Sequence, residues 1–283
     1  MIIVEITNGF GNNIFQYVAG RLLAEHHGVE LKFVTPDNYY AIPDLKKIGL
    51  TNFITYKDLM DMRNTHSFRL VNEQNYVSCF RMKLGKEAYI LRGYFEDYTY
   101  YINSMNTIKS WFPEVDKRKN NDLVVHFRTG DTLIQKDNFP YKPSAKKWVK
   151  LMEKFDFDKL HIVSDFPKWE YTTKEEIESM GGFHNNAEFR QIEDKQESAD
   201  YINSCIDAFA KFSPIFKHGN IYDDFNYVRS FDNILFQHGT LGWWGAALSD
   251  ATKVGVYGPW RPWKGASNKN LGYVPLEGWF QWS

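Results

Sequence analysis

Alternating apolar and polar runs divide this chain into short strand-like and longer helix-like segments. Residues 1–6 are mostly apolar, and residues 12–27 carry apolar side chains at helical spacing until Gly28, a typical helix terminator. A turn rich in glycine, at residues 8–11, separates these two segments. The same criteria predict helices at 100–112, 143–155 and 239–248, and strands at 30–34, 89–95, 123–127, 160–163, 233–236 and 253–257. Strands that alternate with helices predict an α/β fold.

The pattern begins again near the middle of the chain, after a polar stretch. Pro113 ends a helix-like segment, and residues 116–122 are charged or carry amides. The apolar run at 123–127 then repeats the opening of the chain. We therefore predict two Rossmann-like domains, residues 1–118 and residues 119–283, with ligands at the carboxyl ends of their parallel strands.

Composition and charge narrow the possible functions. The formal net charge is −1, so no overall field attracts nucleic acid or an anionic membrane, and no nucleic-acid partner is expected. Aromatic residues make up 17% of the chain, an excess that suits stacking on sugar rings or bases. An aromatic core explains the same excess without any ligand.

Cysteine usage and hydropathy bear on the compartment. Cys79 and Cys205 are far apart in sequence, which argues against a disulfide framework or a structural zinc site and fits a reducing environment. The first residues form a strand rather than a signal peptide, and the longest uncharged stretch, 233–249, is too polar to span a membrane. We expect a cytoplasmic protein with no transmembrane segment.

The strongest local candidate for a binding site is the sequence His126-Phe-Arg-Thr-Gly-Asp131, which follows a predicted strand. His126 and Arg128 are two residues apart and so share one face while the strand continues. Arginine is the natural bidentate partner of a phosphate group. The alternative is a structural role, in which Arg128 pairs with Asp131 and the histidine is part of the core.

Other polar positions lie at strand ends or helix starts. They are the turn formed by Gly9, Gly11 and Asn12, the pair Ser164 and Asp165, the isolated Asp224, and the segment His238, Gly239, Thr240 and Leu241. Glycines let a ligand approach the backbone, and helix N-termini favour anions. Each position also has a plain structural interpretation: a tight turn, a helix cap, or a lead-in to the core residues Trp243 and Trp244.

Taken together and in order, these stretches resemble the α-1,2-fucosyltransferase family. The family's opening Gly-Leu-Gly-Asn-Gln-x-Phe-Gln-Tyr resembles Gly9-Phe-Gly-Asn-Asn-Ile-Phe-Gln-Tyr17, and its His-x-Arg-Arg-Gly-Asp resembles residues 126–131. Further matches are Arg92-Gly-Tyr-Phe-Glu96, Ser164-Asp165-Phe166 and His238-Gly-Thr-Leu-Gly-Trp-Trp244. The ordered set spans residues 8–244.

The resemblance implies a GT-B type fold, with two Rossmann-like domains facing a central cleft. It implies transfer of L-fucose from GDP-fucose to a hydroxyl of a glycan acceptor, with inversion and without a metal ion or other cofactor. The first domain would take the acceptor and the second the GDP. Arg128 would grip the diphosphate, His126 and Asp224 would read guanine, Thr240 and Leu241 would touch phosphate, and Asp131 or Glu96 would serve as general base.

Three departures from the family pattern keep alternatives open. The family's second arginine is Thr129, the second aspartate of Ser-Asp-Asp is Phe166, and Asn-Ser-Ser-Phe-Ser is replaced by residues 238–242. One alternative is the same fold with another GDP- or UDP-sugar as donor. The other is a glycan-binding protein without catalytic activity.

Overall fold

The computed structural model describes residues 1–129, 142–164, 194–237, 239–258, 276 and 278–282, and the chain divides into two units. The division falls between Pro113 and Glu114, earlier than the boundary predicted near residue 118. Residues 114–118 belong to the second unit because Arg118 donates its backbone N–H to the Ser230 carbonyl at 2.9 Å.

The first unit contains a sheet of five parallel strands in the order β3-β2-β1-β5-β4. The strands are β1 (Ile2–Glu5), β2 (Leu31–Val34), β3 (Phe53–Ile54), β4 (Phe68–Val71) and β5 (Ala88–Leu91). The helices are α1 (Phe10–His27), α2 (Ile42–Lys47), α3 (Tyr56–Met62), α4 (Tyr76–Cys79) and α5 (Met105–Lys109). β1 is central, with Val4 in register with Phe33 on one side and Leu91 on the other.

The helix expected at residues 100–112 was wrong. Two short 3₁₀ turns, Tyr98–Tyr100 and Ile102–Ser104, precede α5 instead. The Asp97 side chain fixes the first turn by accepting from the Thr99 N–H at 3.0 Å. The hydroxyl of the fully buried Tyr101 donates to the Phe95 carbonyl, which turns the chain inward where a continuous helix would carry it along the surface.

The second unit contains a sheet of six parallel strands in the order β8-β7-β6-β9-β10-β11. The strands are β6 (Leu123–His126), β7 (Leu160–Val163), β8 (Ile215–Lys217), β9 (Asn233–Gln237), β10 (Lys253–Tyr257) and β11 (Phe280–Trp282). The helices are α6 (Ala145–Met152), α7 (Asp194–Phe209), α8 (Ile221–Arg229) and α9 (Thr240–Ala247). Counted within the unit, the strand order is 3-2-1-4-5-6, that of a Rossmann domain.

Both sheets confirm the predicted α/β fold with two Rossmann-like domains. Each sheet also has a switch point, where consecutive strands change from one side of the first strand to the other. The switch lies between β1 and β5 in the first unit and between β6 and β9 in the second. Ligands of open α/β sheets bind outside the carboxyl ends of the strands at such points.

Buried side chains account for much of the aromatic excess. In the second unit Phe127, Trp148 and Phe209 meet edge to face, with centroids 5.6–6.4 Å apart. Trp243 and Trp244 are also fully buried, which confirms that they are core residues. Both cysteines are free and buried. No helix in the described part of the chain is both long and apolar enough for a membrane span.

The first sheet depends on a close approach between α1 and β1. A Cβ added to Gly20 in α1 would lie 2.1 Å from Cγ2 of Val4, a stiff β-branched side chain buried in the central strand. We expect Gly20→Ala to lower the free energy of unfolding by about 2 kcal/mol, although alanine is the better helix former.

A double-mutant cycle measured by urea unfolding tests this contact. The Val4→Ala background removes Cγ2, so Gly20→Ala should cost much less there than in the wild-type chain. Equal costs in the two backgrounds would show that Val4 is not the obstacle.

Candidate functional site at the carboxyl edge of the second sheet

The site forms where β6 and β9 end side by side. β6 ends at His126, whose Cα pairs in register with Phe236 of β9. Phe127 turns into the core, and Arg128 follows it on the edge of the sheet. The side-chain amide of Gln237 donates to the Arg128 carbonyl at 2.7 Å and ties the two strand ends together.

The Arg128 side chain lies over the start of α9. A Cβ placed on Gly239 would come within 3.1 Å of Arg128 Nη1 and 3.4 Å of its Cδ. The absence of a side chain at Gly239 therefore leaves room for the Arg128 side chain. Gly239 caps α9, and its carbonyl accepts from Trp243 N–H at 3.1 Å. The backbone N–H groups that precede Trp243 in α9, including those of Thr240 and Leu241, have no carbonyl acceptor within the helix. A guanidinium beside the positive end of a helix makes a site for an anion.

His126 borders this anion site as a neutral group. Its side chain is 6% exposed, and no described residue hydrogen-bonds to Nδ1. Burial lowers the pKa of His126 to about 4, and the nearby positive charge of Arg128 acts in the same direction. The imidazole is therefore uncharged at neutral pH, available for hydrogen bonding but not as a second cation.

Thr129 and Ser164 pair with each other next to Arg128. Their hydroxyl groups are 3.0 Å apart, and both residues are buried. The backbone of Ser164 is engaged as well, since its carbonyl lies 3.1 Å from His218 Nδ1. Ser164, predicted to bind substrate, thus lies at the expected edge with its hydroxyl directed at Thr129.

Asp224 lies in the first turn of α8, just after β8. It is 6% exposed, and none of the described residues hydrogen-bonds to its Oδ1. Its Oδ2 lies 3.9 Å from His218 Nδ1. Burial raises the pKa of Asp224, opposed by the Gly219 amide and by the charges of His218 and Lys217. A buried carboxylate oxygen with spare capacity suits a ligand that presents N–H groups.

The structure thus brings several predicted residues to one edge of one sheet. Arg128 meets Gly239, Thr129 links to Ser164, and Ser164 reaches Asp224 through His218. Three predicted site residues, Asp131, Asp165 and His238, lie outside the described part of the chain.

The remaining predicted residues belong to the first unit. Gly9 is the exposed N-cap of α1, with open space where a Cβ would project, whereas Gly11 is buried inside the helix. Asn12 is half-buried and donates its backbone N–H to the Gly9 carbonyl at 2.9 Å. Glu96, the second candidate base, is half-buried in the turn after β5.

Two contributors to the edge had no signal in the sequence. Gln237 reads as the last residue of a buried strand, and its bond to Arg128 appears only once β6 and β9 are paired. His218 follows β8, a strand of three exposed residues whose pattern predicts nothing. Among the described residues, no group of three His, Cys, Asp or Glu side chains is placed to hold a metal ion.

The chain also contains the triplet Asp156-Phe157-Asp158, whose two carboxylates are of the type that binds divalent cations. It precedes β7, and the backbone N–H of Asp158 donates to the Asn121 carbonyl at 3.0 Å. The triplet therefore lies at the amino edge of the sheet, opposite Arg128.

Comparisons with known proteins show similarity in structure only. No protein-family model matches the chain, and no curated protein matches its sequence. Similar solved structures include E. coli heptosyltransferase WaaC with ADP-2-deoxy-2-fluoro heptose, at 8% identity, and E. coli ADP-heptose lps heptosyltransferase II, at 11%. Both have a TM-score of 0.46, and the match covers 99% of this chain and 92% of each of theirs. At these values the likeness carries no argument about activity.

The neutral state of His126 makes stability depend on pH in one direction. The pKa of His126 is about 4 in the folded chain, against an ordinary value of 6.5. The contribution of His126 to the free energy of unfolding is therefore fully present above pH 6.5. It is lost as the pH falls toward 4, because over this range only the unfolded chain takes up the proton.

Between pH 7 and pH 5 this loss amounts to about 2 kcal/mol. In His126→Asn, which cannot titrate, we expect the free energy of unfolding by urea to fall by about that much less over the same range. Equal losses in both proteins would mean that His126 takes up its proton normally in the folded state.

Proposed function

We propose that this chain is a glycosyltransferase that moves L-fucose from GDP-fucose to a hydroxyl of a glycan acceptor, with inversion and without a metal ion. One observation carries the proposal: the guanidinium of Arg128 lies over Gly239 at the start of α9, at the switch point of a Rossmann sheet. A diphosphate is the ligand that such a combination favours.

The reaction requires groups that stabilise the negative charge on the departing nucleoside diphosphate. The acceptor oxygen bonds to the anomeric carbon while the bond from that carbon to the β-phosphate oxygen breaks. The electron pair leaves with GDP, and the acceptor proton passes to a base. Arg128 and the first amides of α9 would stabilise the growing charge on the diphosphate. Asp131 is our first candidate for the base and Glu96 the second.

The nucleobase is the part of the donor that His126 and Asp224 would contact. Oδ1 of Asp224, to which no described residue hydrogen-bonds, and Oδ2 of the same carboxylate could accept from N1–H and N2–H₂ of guanine together. Uracil offers a single ring N–H that lies between two carbonyl groups. The oxygens of these carbonyls are repelled by a carboxylate. This difference supports GDP over UDP as the nucleotide.

A second candidate donor rests on one specific observation. Thr129 replaces the arginine that the resemblance leads us to expect, and it is fully buried and bonded to Ser164. This departure from the family pattern next to Arg128 favours another GDP- or UDP-sugar as donor on the same fold.

A panel of nucleotides and nucleotide sugars tests both candidates. We expect GDP to raise the melting temperature more than UDP or ADP at equal concentration, and GDP-fucose to release GDP when a mixture of glycan acceptors is added. Turnover of UDP-sugars alone would overturn the GDP assignment. A glycan-binding protein without catalytic activity would ignore GDP in calorimetry.

Substitutions at the anion site should separate binding from folding. We expect Arg128→Ala to lower kcat by about 100- to 1,000-fold, since one preorganised donor to the leaving group is lost. Gly239→Ala should give a smaller loss, because its Cβ would crowd Nη1 without removing the charge.

Lys146→Ala is the matched control, since Lys146 is an exposed cation on α6 of the same unit. All three variants should unfold at the wild-type temperature within a few degrees. Full activity in Arg128→Ala would remove this residue from the site.

A further inference from the structure

A carboxylate of the chain itself occupies a backbone-amide cradle in the first unit. Glu73 follows β4, and its Oε1 accepts from the backbone N–H of Tyr94 at 2.7 Å and of Phe95 at 3.2 Å. Both amides belong to the turn after β5, the strand next to β4. Two amides that converge on one charged oxygen form strong hydrogen bonds.

The backbone of this turn has an uncommon shape that brings it close to Glu73. Gly93 has a φ of +153°, and a Cβ there would lie 2.4 Å from Oε1 of Glu73. Phe95 has a φ of +55°, which is uncommon for a bulky residue, and its side chain is fully buried. A backbone in this state persists only where its surroundings hold it, and the Glu73 carboxylate is the group that both amides face.

The same turn reaches the switch point of the first sheet. The Gly93 carbonyl accepts from Gln16 Nε2 at 3.0 Å, and the Tyr94 hydroxyl accepts from Asn8 Nδ2 at 2.9 Å. Asn8 itself has a φ of +69° in the turn that follows β1. The carboxyl ends of β4, β5 and β1 are thus joined by one set of bonds that starts at Glu73.

We propose that Glu73 is a positioning residue: its Oε1, the shared acceptor of two backbone amides, fixes the 93–96 turn and, through it, Tyr94 and Glu96 for the acceptor. The inference rests on the proposed function in naming the acceptor as the affected substrate. The contact between the carboxylate and the amides does not depend on that function.

Two conservative variants separate geometry from charge. Glu73→Gln keeps an oxygen at the same reach, so its KM for the acceptor should stay within about threefold of wild type. Glu73→Asp keeps the charge but draws the oxygen back by one methylene, so its acceptor KM should rise about tenfold with the donor KM unchanged. A larger rise of the acceptor KM in Glu73→Gln than in Glu73→Asp would overturn the proposal. Equal changes of the acceptor and donor KM in Glu73→Asp would also overturn it.

Filling the cradle from solution provides a readout that needs no activity. Glu73→Ala leaves space for a small carboxylate, so sodium formate should raise its melting temperature and restore its acceptor KM, compared with sodium chloride at equal ionic strength. Wild type and the control Glu114→Ala, at an exposed glutamate, should show no formate-specific shift.

A Glu73→Ala protein that ignores formate would refute the cradle, even if the enzyme is fully active. If no glycosyl donor is turned over by the wild type, the proposed function fails while the formate response still tests Glu73. Should Glu73→Ala not fold, the order of the Gln and Asp variants in thermal stability decides the same point.

Discussion

The pairing of β6 with β9 is the constraint on which the second unit depends. These strands are neighbours in space although β7 and β8 lie between them in sequence, and their register sets His126 opposite Phe236. Because both strands end at the same level, Arg128 leaves one strand where Gly239 leaves the other. The anion site is therefore a result of sheet topology, and neither of the two local sequences could form it alone.

The polar groups at the carboxyl edges of the two sheets differ in how fully they are hydrogen-bonded within the described part of the chain. In the first unit, amides and a carboxylate of the chain satisfy one another, as the bonds from Glu73, Gln16 and Asn8 show. In the second unit, buried polar atoms at the edge have capacity left among the described residues, at His126 Nδ1 and Asp224 Oδ1. Buried polar atoms usually find partners in a folded chain, so an edge that leaves some unsatisfied is suited to a ligand.

Sequence patterns predicted those parts of the structure that depend on local periodicity. The central strands are apolar runs, and α1 ends at its predicted glycine terminator, with Gly28 at a φ of +62°. No element is predicted within residues 36–86, where β3 has two residues and α4 has four, because such short elements do not complete a period. β8 has no buried residue and is defined only by its pairing with β7.

The candidate site was predictable where chemistry follows a strand directly, and not elsewhere. Arg128 and Gly239 stand at strand ends that hydropathy reveals, so their meeting could be expected from the fold class. Glu73 lies in a stretch without a clear pattern, about twenty residues before the amides that it binds. No local rule of sequence connects a carboxylate with a turn on a neighbouring strand.

The hydroxyl pair of Thr129 and Ser164 limits which side chains the end of β6 can accept. Thr129 has no exposed surface, and its oxygen is already bonded to that of Ser164. A second arginine introduced at this position would bring a guanidinium into space filled by close-packed atoms and would remove the Thr129 hydroxyl that bonds to Ser164. A larger or charged side chain at residue 129 thus calls for coordinated replacements at the ends of both β6 and β7.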